Sequence, residues 1–450
     1  MIWYIESRCQ KDGAVMSLIF DSSNISVGEI GRVASTGRNI ASAVTAATVL
    51  YNFLLCFVNT NLTGIGPSVV VSAEIAIIGL ALGLVWYQSY ILYSILVLFA
   101  VYFFAIMLAR SEFDPKILRD LLIPIAFFFL GKCVGTREAG DRLVSLLICV
   151  AFGAALFEWL TPDVYLHYFD VIGYYVARGT VSGVDAESAV VFGTGFFNSL
   201  RFDSRTLLPF LGDHRVSGIF LEAPSVGNFA AIVFAWILVR DRHSHWIFAV
   251  KLAIVGAIVV LADARFGLYF CVFTVLLYIA TPYIRPTMLF IAPFLAILGL
   301  LTYAITSWDG IWDNTILGRF LYAGHILTTL DPWQVYGVVA SNVKIGVSFA
   351  MNAVTDSGYA YALIKIGLFG MAGIWALFVY APVPDKDTLF FRNFVAFYYI
   401  ILLSISASVF TIKTAGLLWF LYGALHSAGQ TDAKGTQISA DEIRAASSGL

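Results

Sequence analysis

Charged side chains are scarce in this sequence. Lysine, arginine, aspartate and glutamate together make up 12% of the 450 residues, whereas soluble domains carry about 25%. Hydrophobic residues make up 60%, and the mean hydropathy is +0.84. This balance excludes a soluble globular protein and indicates a chain that crosses a membrane several times. The formal net charge of −2 gives no basis for nucleic-acid binding.

The sequence also lacks paired cysteines and metal-binding motifs. Its five cysteines are scattered, without a CxxC or Cys/His spacing, and all but Cys9 lie in or next to apolar runs. They are therefore interpreted as small buried hydrophobic residues, and neither a metal nor another cofactor is expected. The one Asp-x-Asp pair, Asp385 and Asp387, lies in a short loop, where charged residues usually face solvent.

Twelve apolar runs have the length of about 17–25 residues that a transmembrane helix needs. They cover residues 40–59, 67–86, 89–109, 118–134, 142–160, 216–239, 246–262, 266–281, 286–306, 357–380, 393–411 and 413–427. The predicted fold class is therefore an all-α polytopic membrane protein. Residues 1–39 are expected to form a cytoplasmic N-terminal segment, residues 40–428 a single transmembrane domain, and residues 429–450 a disordered cytoplasmic tail.

Basic residues in the short loops predict the orientation, because they favour the cytoplasmic side. With the N-terminus inside, the outer loops hold five: Arg110, Lys116, Arg119, Arg265 and Lys413. The inner loops hold eleven, namely Arg32, Arg38, Lys132, Arg137, Arg142, Arg240, Arg242, Lys251, Arg285, Lys386 and Arg392. Both termini are therefore expected in the cytoplasm.

Two long segments, about 161–214 and 307–356, lie on the outer side of the membrane in this topology. They mix aromatic residues with arginine, aspartate and glycine, as in YFDVIGYYVARG and SWDGIWDN. This pattern predicts short amphipathic helices that lie on the outer face of the membrane that the chain crosses. Aromatic rings with polar neighbours also suit sugar binding, and the other interpretation is an aromatic belt at the membrane interface.

Three arginines lie in or at the edge of apolar stretches. Arg215 heads the run VSGIFLEAPSVGNFAAIVFAWIL, Arg265 lies in LADARFGLYF, and Arg319 lies in ILGRFLYAGHIL. An arginine in hydrocarbon costs about 2.5–3.5 kcal/mol on insertion scales. Because the topology puts all three on the outer side, they are predicted to hold an anionic ligand there. The alternative is a set of separate ion pairs with carboxylates such as Glu222 and Asp263.

The order of three motifs resembles the O-antigen polymerase and O-antigen ligase superfamily, which are multispanning glycosyltransferases that use undecaprenyl-diphosphate-linked glycans. HRVSGIFLEAPSVGNFAAI is similar to that family's Arg-x-x-Gly-x-Phe element entering a helix, and LADARFGLYF to its arginine-containing turn between two helices. A large outer loop then leads into DSGYAYALIKIGLFG, which is similar to the family's helix with Gly-x-x-Gly. The similarity covers about residues 210–380.

This resemblance implies a GT-C-like glycosyltransferase architecture with periplasmic amphipathic helices, in the inner membrane of a bacterium. Where ligases tend to show His-Pro-Asn, this chain has Glu222-Ala223-Pro224, and it has Asp356 where ligases carry a histidine. These departures favour a polysaccharide polymerase, for instance of a xanthan-like exopolysaccharide. Expected partners are undecaprenyl-diphosphate-linked oligosaccharides, membrane lipid, a chain-length regulator and export machinery.

Two alternatives stay open. One is an O-antigen ligase, and the other is a flippase of lipid-linked oligosaccharides. Transporters typically show repeated halves and a charged site near the bilayer midplane, whereas this sequence has no internal repeat and its unusual charges gather on the predicted outer face.

The chemistry of the predicted reaction fits the three arginines. A lipid diphosphate is anionic, and the departing phosphate oxygen gains further charge during glycosyl transfer. The planar guanidinium group donates two parallel hydrogen bonds to phosphate and stays ionised. Arg215, Arg265 and Arg319 are therefore predicted to bind the substrate diphosphate in a metal-independent reaction, since preorganised cations stabilise developing negative charge.

The acceptor hydroxyl needs a base, for which Glu222 is the first choice and Asp356 the second. Seven residues in a continuous helix make nearly two turns, so Arg215 and Glu222 are expected on one helix face. The other interpretations are an ion pair of Glu222 with Arg215 or Arg265, and helix capping by Asp356. Glu74 is expected to pair with a neighbouring arginine.

Five further residues are weaker candidates. His214 and His325 are either bases or polar loop residues. Lys365 is a phosphate contact, or else it pairs or extends toward the membrane surface. Arg201 and Arg205 bind phosphate or acidic sugars, or form local salt bridges.

Overall fold

The computed structural model describes most of the transmembrane region. The described residues are 27–86, 88–110, 115–180, 196, 211, 214–242, 244–310, 315–339 and 357–427. Contacts divide the chain into two units, residues 1–40 and residues 41–450. The first helix begins in the smaller unit, and all the other described helices lie in the larger unit.

The described part of the chain is helical and contains no strand. Its helices are α1 (Val27–Asn61), α2 (Pro67–Val85), α3 (Tyr90–Arg110), α4 (Pro115–Cys133), α5 (Arg137–Leu160), α6 (Pro162–Tyr168), α7 (Val171–Ala177), α8 (Ala223–Arg240), α9 (His245–Ala262), α10 (Arg265–Ala280), α11 (Pro286–Ser307), α12 (Ile316–Thr328), α13 (Pro332–Val335), α14 (Gly358–Val379), α15 (Lys386–Leu403) and α16 (Ile412–Leu425). Short 3-10 turns cover Gly218–Phe220, Thr281–Tyr283 and Ala407–Phe410.

Within the described residues, nine helices are long and apolar enough to cross a membrane: α1, α2, α3, α5, α8, α9, α10, α11 and α14. The protein is therefore an all-α polytopic membrane protein, as the sequence predicts. The other three predicted spans, 118–134, 393–411 and 413–427, overlap α4, α15 and α16. With 14 residues at about 1.5 Å each, α16 is shorter than the roughly 30 Å of a hydrocarbon core. Twelve crossings remain a prediction.

Two predicted runs continue past a helix boundary. The run 216–239 does not begin as a helix, because Leu221 takes a left-handed conformation (φ 60°) after the 3-10 turn, and α8 starts only at Ala223. The run 393–411 belongs to a helix that starts earlier, at Lys386, and ends at Leu403. In both places an apolar composition continues through residues whose backbone leaves the helical conformation.

Helices α4 and α16 pack so closely that their backbones are in contact. A Cβ atom added to Gly131 would lie 2.1 Å from the Phe420 carbonyl oxygen, and one added to Gly423 would lie 2.0 Å from that of Phe128. Such small residues let transmembrane helices approach closely. The contact keeps α16 buried along its whole length.

A second close approach joins α8 to α10. A Cβ atom added to Gly267 would lie 2.7 Å from the Gly227 Cα atom. The start of α10 is thereby held against α8, and both α8 and α9 contact α5. We call this region, formed by the ends of α5 and α9 and the starts of α8 and α10, the site end of the bundle.

The first long loop does contain short helices, α6 and α7, as expected, but α7 does not lie flat on a surface. Asn61 at the end of α1 donates to the Tyr168 carbonyl (2.9 Å), and Tyr174 donates to Asn52 (2.8 Å). Nine residues separate Asn61 from Asn52, which is about 14 Å along a helix. Buried α7 therefore runs back along α1 into the bundle.

The helix α14 is interrupted at Gly367, where φ is 70° and ψ is 165°. Tyr102 spans the interruption, since its hydroxyl donates to the Ile366 carbonyl (2.6 Å) and accepts from the Gly370 amide (2.9 Å). Arg110 donates to the neighbouring Lys365 carbonyl (3.2 Å). The Gly-x-x-Gly motif thus marks a broken helix whose backbone polar groups are satisfied by side chains of α3.

Candidate functional site

Arg215 and Arg265 lie at one turn of the site end. Arg215 donates from Nε to the Ala262 carbonyl and from Nη2 to the Asp263 carbonyl, both at 3.2 Å. Those carbonyls end α9, where a positive charge interacts favourably with the helix dipole. Arg265 is the first residue of α10. The predicted turn between two helices is therefore confirmed, with Asp263 at φ 44°.

The guanidinium group of Arg265 makes no hydrogen bond or ion pair with any residue that the structure describes. It is partly exposed, and no described side chain caps the start of α10. The amide groups at a helix N-terminus carry partial positive charge and attract anions. A cation and an uncapped helix start thus meet at the turn that Arg215 braces.

Glu158 fixes the segment that carries Arg215. This carboxylate is fully buried near the end of α5. It accepts hydrogen bonds from the Ser217 amide (2.9 Å), the Ser217 hydroxyl (3.1 Å), the Gly218 amide and His214 Nε2 (2.8 Å). One buried acid therefore sets the path of residues 214–218.

Tyr165 holds the same segment from α6. Its hydroxyl donates to the Gly218 carbonyl at 2.9 Å. Burial, and next the neighbouring Glu158, raise the pKa of Tyr165 well above its usual value, so the phenol keeps the proton that it donates. The Arg-x-x-Gly-x-Phe element is thus fixed at its glycine, and Phe220 anchors it by packing against Phe229, with ring centroids 5.1 Å apart.

Glu222 does not share a helix face with Arg215, contrary to the expectation. The 3-10 turn and Leu221 separate them, and Glu222 precedes α8 in an extended conformation. Its carboxylate accepts from Ser225 and from Lys413 of α16. The side chain of Lys413 is 8% exposed and that of Glu222 is 22% exposed. Lys413, which the charge count assigned to an outer loop, is therefore a buried ion-pair partner.

Arg178 lies near this ion pair. It follows α7, donates to Asn52 Oδ1 at 3.3 Å, and has its guanidinium carbon 6.0 Å from the centre of the Tyr175 ring. It interacts electrostatically with both Glu222 and Lys413. The position of α7 therefore brings another, partly buried cation near Glu222.

Arg319 and His325 are both on α12. The His325 ring stacks on Trp308, with centroids 4.3 Å apart and planes 9° apart. The helix packs on α11 and α14. The stacking on Trp308 thus fixes the His325 ring within the second long loop. The predicted convergence of Arg319 with Arg215 stays a prediction.

Lys365 belongs to a different ionic cluster. It lines a small pocket together with Asp120 and Tyr361. Asp120 accepts from the Tyr361 hydroxyl (2.6 Å) and from Arg119, and Arg119 also pairs with Glu74. The expected pairing of Glu74 with an arginine is confirmed. Lys365 therefore lies beside α4.

Asp356, Arg201 and Arg205 lie outside the described residues, so their predicted roles stay untested.

The Asp-x-Asp pair takes part in structural contacts at the opposite end of the bundle. Asp385 caps α15 by accepting from the Thr388 amide (2.8 Å) and pairs with Arg137, while Asp387 pairs with Arg242 at 3.3 Å. Burial acts to raise the pKa of Asp385, but the hydrogen bonds from Thr388 and Arg137 outweigh it and hold the pKa below its usual value. Among the described residues, no three His, Cys, Asp or Glu side chains are grouped to hold a metal.

Three residues of this region were not predicted from the sequence as members of the site: Glu158, Arg178 and Lys413. Glu158 had a usable signal, because a carboxylate inside an apolar run is costly and is usually paired or functional, and it lies within the run 142–160. Arg178 and Lys413 had no comparable signal in the sequence. Their positions follow from the packing of α7 and α16, which apolar periodicity does not encode.

Comparison with protein-family models, with curated proteins and with solved structures finds no match to this chain.

Proposed function

We propose that the protein is a polysaccharide polymerase of the bacterial inner membrane. It transfers a growing glycan from undecaprenyl diphosphate to a lipid-linked repeat unit on the periplasmic face. The observation that carries this proposal is the turn at the site end, where Arg265 has no described partner, Arg215 is braced against the same turn, and α10 begins uncapped.

An anion at this turn removes an electrostatic cost. Two guanidinium groups close together in a medium of low dielectric constant repel each other. A diphosphate between them accepts charge-assisted hydrogen bonds from both and from the first amides of α10. In this proposal Arg319 approaches from the second long loop and completes the diphosphate site.

The reaction needs no metal in this proposal, because the cations at the turn stabilise the charge that develops on the departing diphosphate. The acceptor hydroxyl attacks the anomeric carbon of the donor, and the bond from that carbon to the phosphate oxygen breaks. The sequence assigns the base to Glu222, with Asp356 second. The ion pair with Lys413 supports the other interpretation of Glu222, in which its carboxylate is structural.

The test uses purified protein and lipid-linked repeat units extracted from host cells that lack its gene. Incubation with these units alone is expected to give longer lipid-linked products, and the products are expected to form in excess chelator as well. A ligase would require the core of lipid A as acceptor. A flippase would move the repeat units across vesicle membranes without lengthening them, and either result would overturn the proposal.

A further inference from the structure

We propose that His214, oriented by Glu158, accepts the proton of the acceptor hydroxyl in the proposed polymerase reaction. This inference rests on the proposed function and names a catalytic residue for the same site. It starts from the geometry of two side chains that are 56 residues apart in the sequence, since His214 Nε2 lies 2.8 Å from Glu158 Oε1.

The hydrogen bond selects the tautomer of the imidazole. A carboxylate only accepts hydrogen bonds, so in the neutral imidazole Nε2 carries the hydrogen and Nδ1 carries the lone pair. Within the described residues Nδ1 makes no hydrogen bond. The His214 side chain is 25% exposed, whereas that of Glu158 is 0% exposed. The nitrogen that can accept a proton therefore belongs to a side chain that is partly exposed, whereas the carboxylate that orients it is enclosed.

The ring is also held in place. Phe196 packs against it with ring centroids 4.0 Å apart. The carboxylate of Glu158 is itself fixed by Ser217 and Gly218. A buried carboxylate that orients a histidine and stabilises its imidazolium form is the arrangement found in the Ser-His-Asp triad.

His214 and Arg215 are adjacent but reach different neighbours. His214 turns to α5, and Arg215 turns to the end of α9. A displacement at an anomeric carbon brings the acceptor in from the side opposite the leaving group. A base and a diphosphate-binding residue that diverge from one backbone segment suit that geometry.

The acceptor oxygen forms a bond to the anomeric carbon, and the bond from that carbon to the phosphate oxygen breaks. The bonding electron pair goes to the undecaprenyl diphosphate. The hydroxyl proton passes to His214 Nδ1, giving an imidazolium beside Glu158, and is then released to water.

The experiment compares substitutions of His214 in the elongation assay with lipid-linked repeat units. His214→Gln keeps a donor for Glu158 but has no proton-accepting nitrogen, so turnover should fall by about 10²–10⁴-fold, the range for one general base. His214→Ala should lose turnover equally and regain part of it in added imidazole. His167→Ala, an exposed histidine on α6, is the matched control and should keep wild-type turnover.

Binding of undecaprenyl diphosphate separates chemistry from folding. Both His214 variants should bind it as the wild type does. If His214→Gln elongates normally, or if imidazole restores nothing to a folded His214→Ala, the base assignment is wrong and the proposed function stands. If the wild type makes no longer product, the proposed function fails and the base assignment fails with it.

Glu158 acts as a positioning residue. Its test is whether the effect of a Glu158 substitution on turnover depends on the presence of His214. Glu158→Gln should lower turnover in the wild type but add no further loss in the His214→Gln background. An equal loss of turnover in the wild type and in the His214→Gln background would show that Glu158 only stabilises the backbone of residues 214–218.

Discussion

Lys413 donates to the carboxylate of Glu222 across 191 residues of sequence. The contact joins the start of α16 to the start of α8. Because Lys413 is buried, removing one member of the pair leaves a charge in a site that was arranged for two. The pair therefore contributes to folding, whatever its relation to the substrate.

The first prediction concerns this pair. Lys413→Met and Glu222→Gln should each destabilise the protein by about 3–5 kcal/mol, the range for breaking a buried ion pair, and the double variant should recover part of the loss. Thermal unfolding of the detergent-purified variants measures this. Glu222→Gln should also keep turnover within about tenfold of the wild type, since we assign the proton transfer to His214.

The opposite outcome for Glu222 is informative. A stable Glu222→Gln variant that still binds undecaprenyl diphosphate, but turns over about 10²–10⁴-fold more slowly, would restore Glu222 as the base. Simple additivity of the two single variants would show that the ion pair makes no specific contribution to stability.

The second prediction concerns topology. In a variant without native cysteines, Thr161→Cys after α5 and Thr328→Cys at the end of α12 should react with an impermeant thiol reagent in cells with a permeabilised outer membrane. Ser244→Cys, between α8 and α9, should be protected, because the predicted cytoplasmic loops hold most of the basic residues. Thr161, Thr328 and Ser244 are all exposed. The reverse labelling pattern would put the site end in the cytoplasm.

Much of the helical framework was predictable, and the reason is physical. Long apolar runs are required to cross hydrocarbon, so runs such as 67–86 and 286–306 coincide with α2 and α11 within a residue or so. The turn at Arg265 was also predictable, because a charged residue between two apolar runs interrupts the membrane-spanning pattern.

The site was predictable only in part. The sequence singles out Arg215 and Glu222 as costly charges in an apolar run. The prediction that they share a helix face requires a continuous helix between them. The left-handed conformation of Leu221 breaks that helix. Glu222 is thereby turned to Lys413, and the link from His214 to Glu158 depends on the packing of α5 beside the segment. Both contacts are long-range, so local periodicity does not reveal them.

The third prediction concerns pH. Asp385 has a lowered pKa in the folded state, so its carboxylate stabilises the fold above the unfolded pKa, and this stabilisation is lost as the pH falls through the folded pKa. Asp385→Asn should lower the unfolding temperature at neutral pH. The difference from the wild type should shrink as the pH falls below about 4, the usual value for aspartate.

Asp163→Asn, at an exposed position on α6, controls for the change in net charge. A difference between Asp385→Asn and the wild type that stays constant with pH would mean that the Asp385 carboxylate is not the group responsible.

The last prediction concerns the diphosphate site. Arg265→Lys keeps the positive charge but loses the planar fork that donates two parallel hydrogen bonds to phosphate. Hydrogen bonds to charged groups contribute about 1.5–3 kcal/mol, so elongation and undecaprenyl diphosphate binding should weaken by roughly tenfold to hundredfold. Because Arg265 has no hydrogen-bond or ion-pair partner among the described residues, the unfolding temperature should stay unchanged.

Arg215→Lys and Arg319→Lys should also lose most activity, and Arg215→Lys should lower the unfolding temperature as well, since Arg215 braces the turn through the Ala262 and Asp263 carbonyls. Arg142→Lys, at an exposed position on α5 far from its Glu158 end, is the control and should behave as the wild type. Normal elongation by the lysine variants of all three site arginines would show that they do not form a diphosphate site. Loss confined to Arg215→Lys, together with a lower unfolding temperature, would leave Arg215 as a brace of the turn alone.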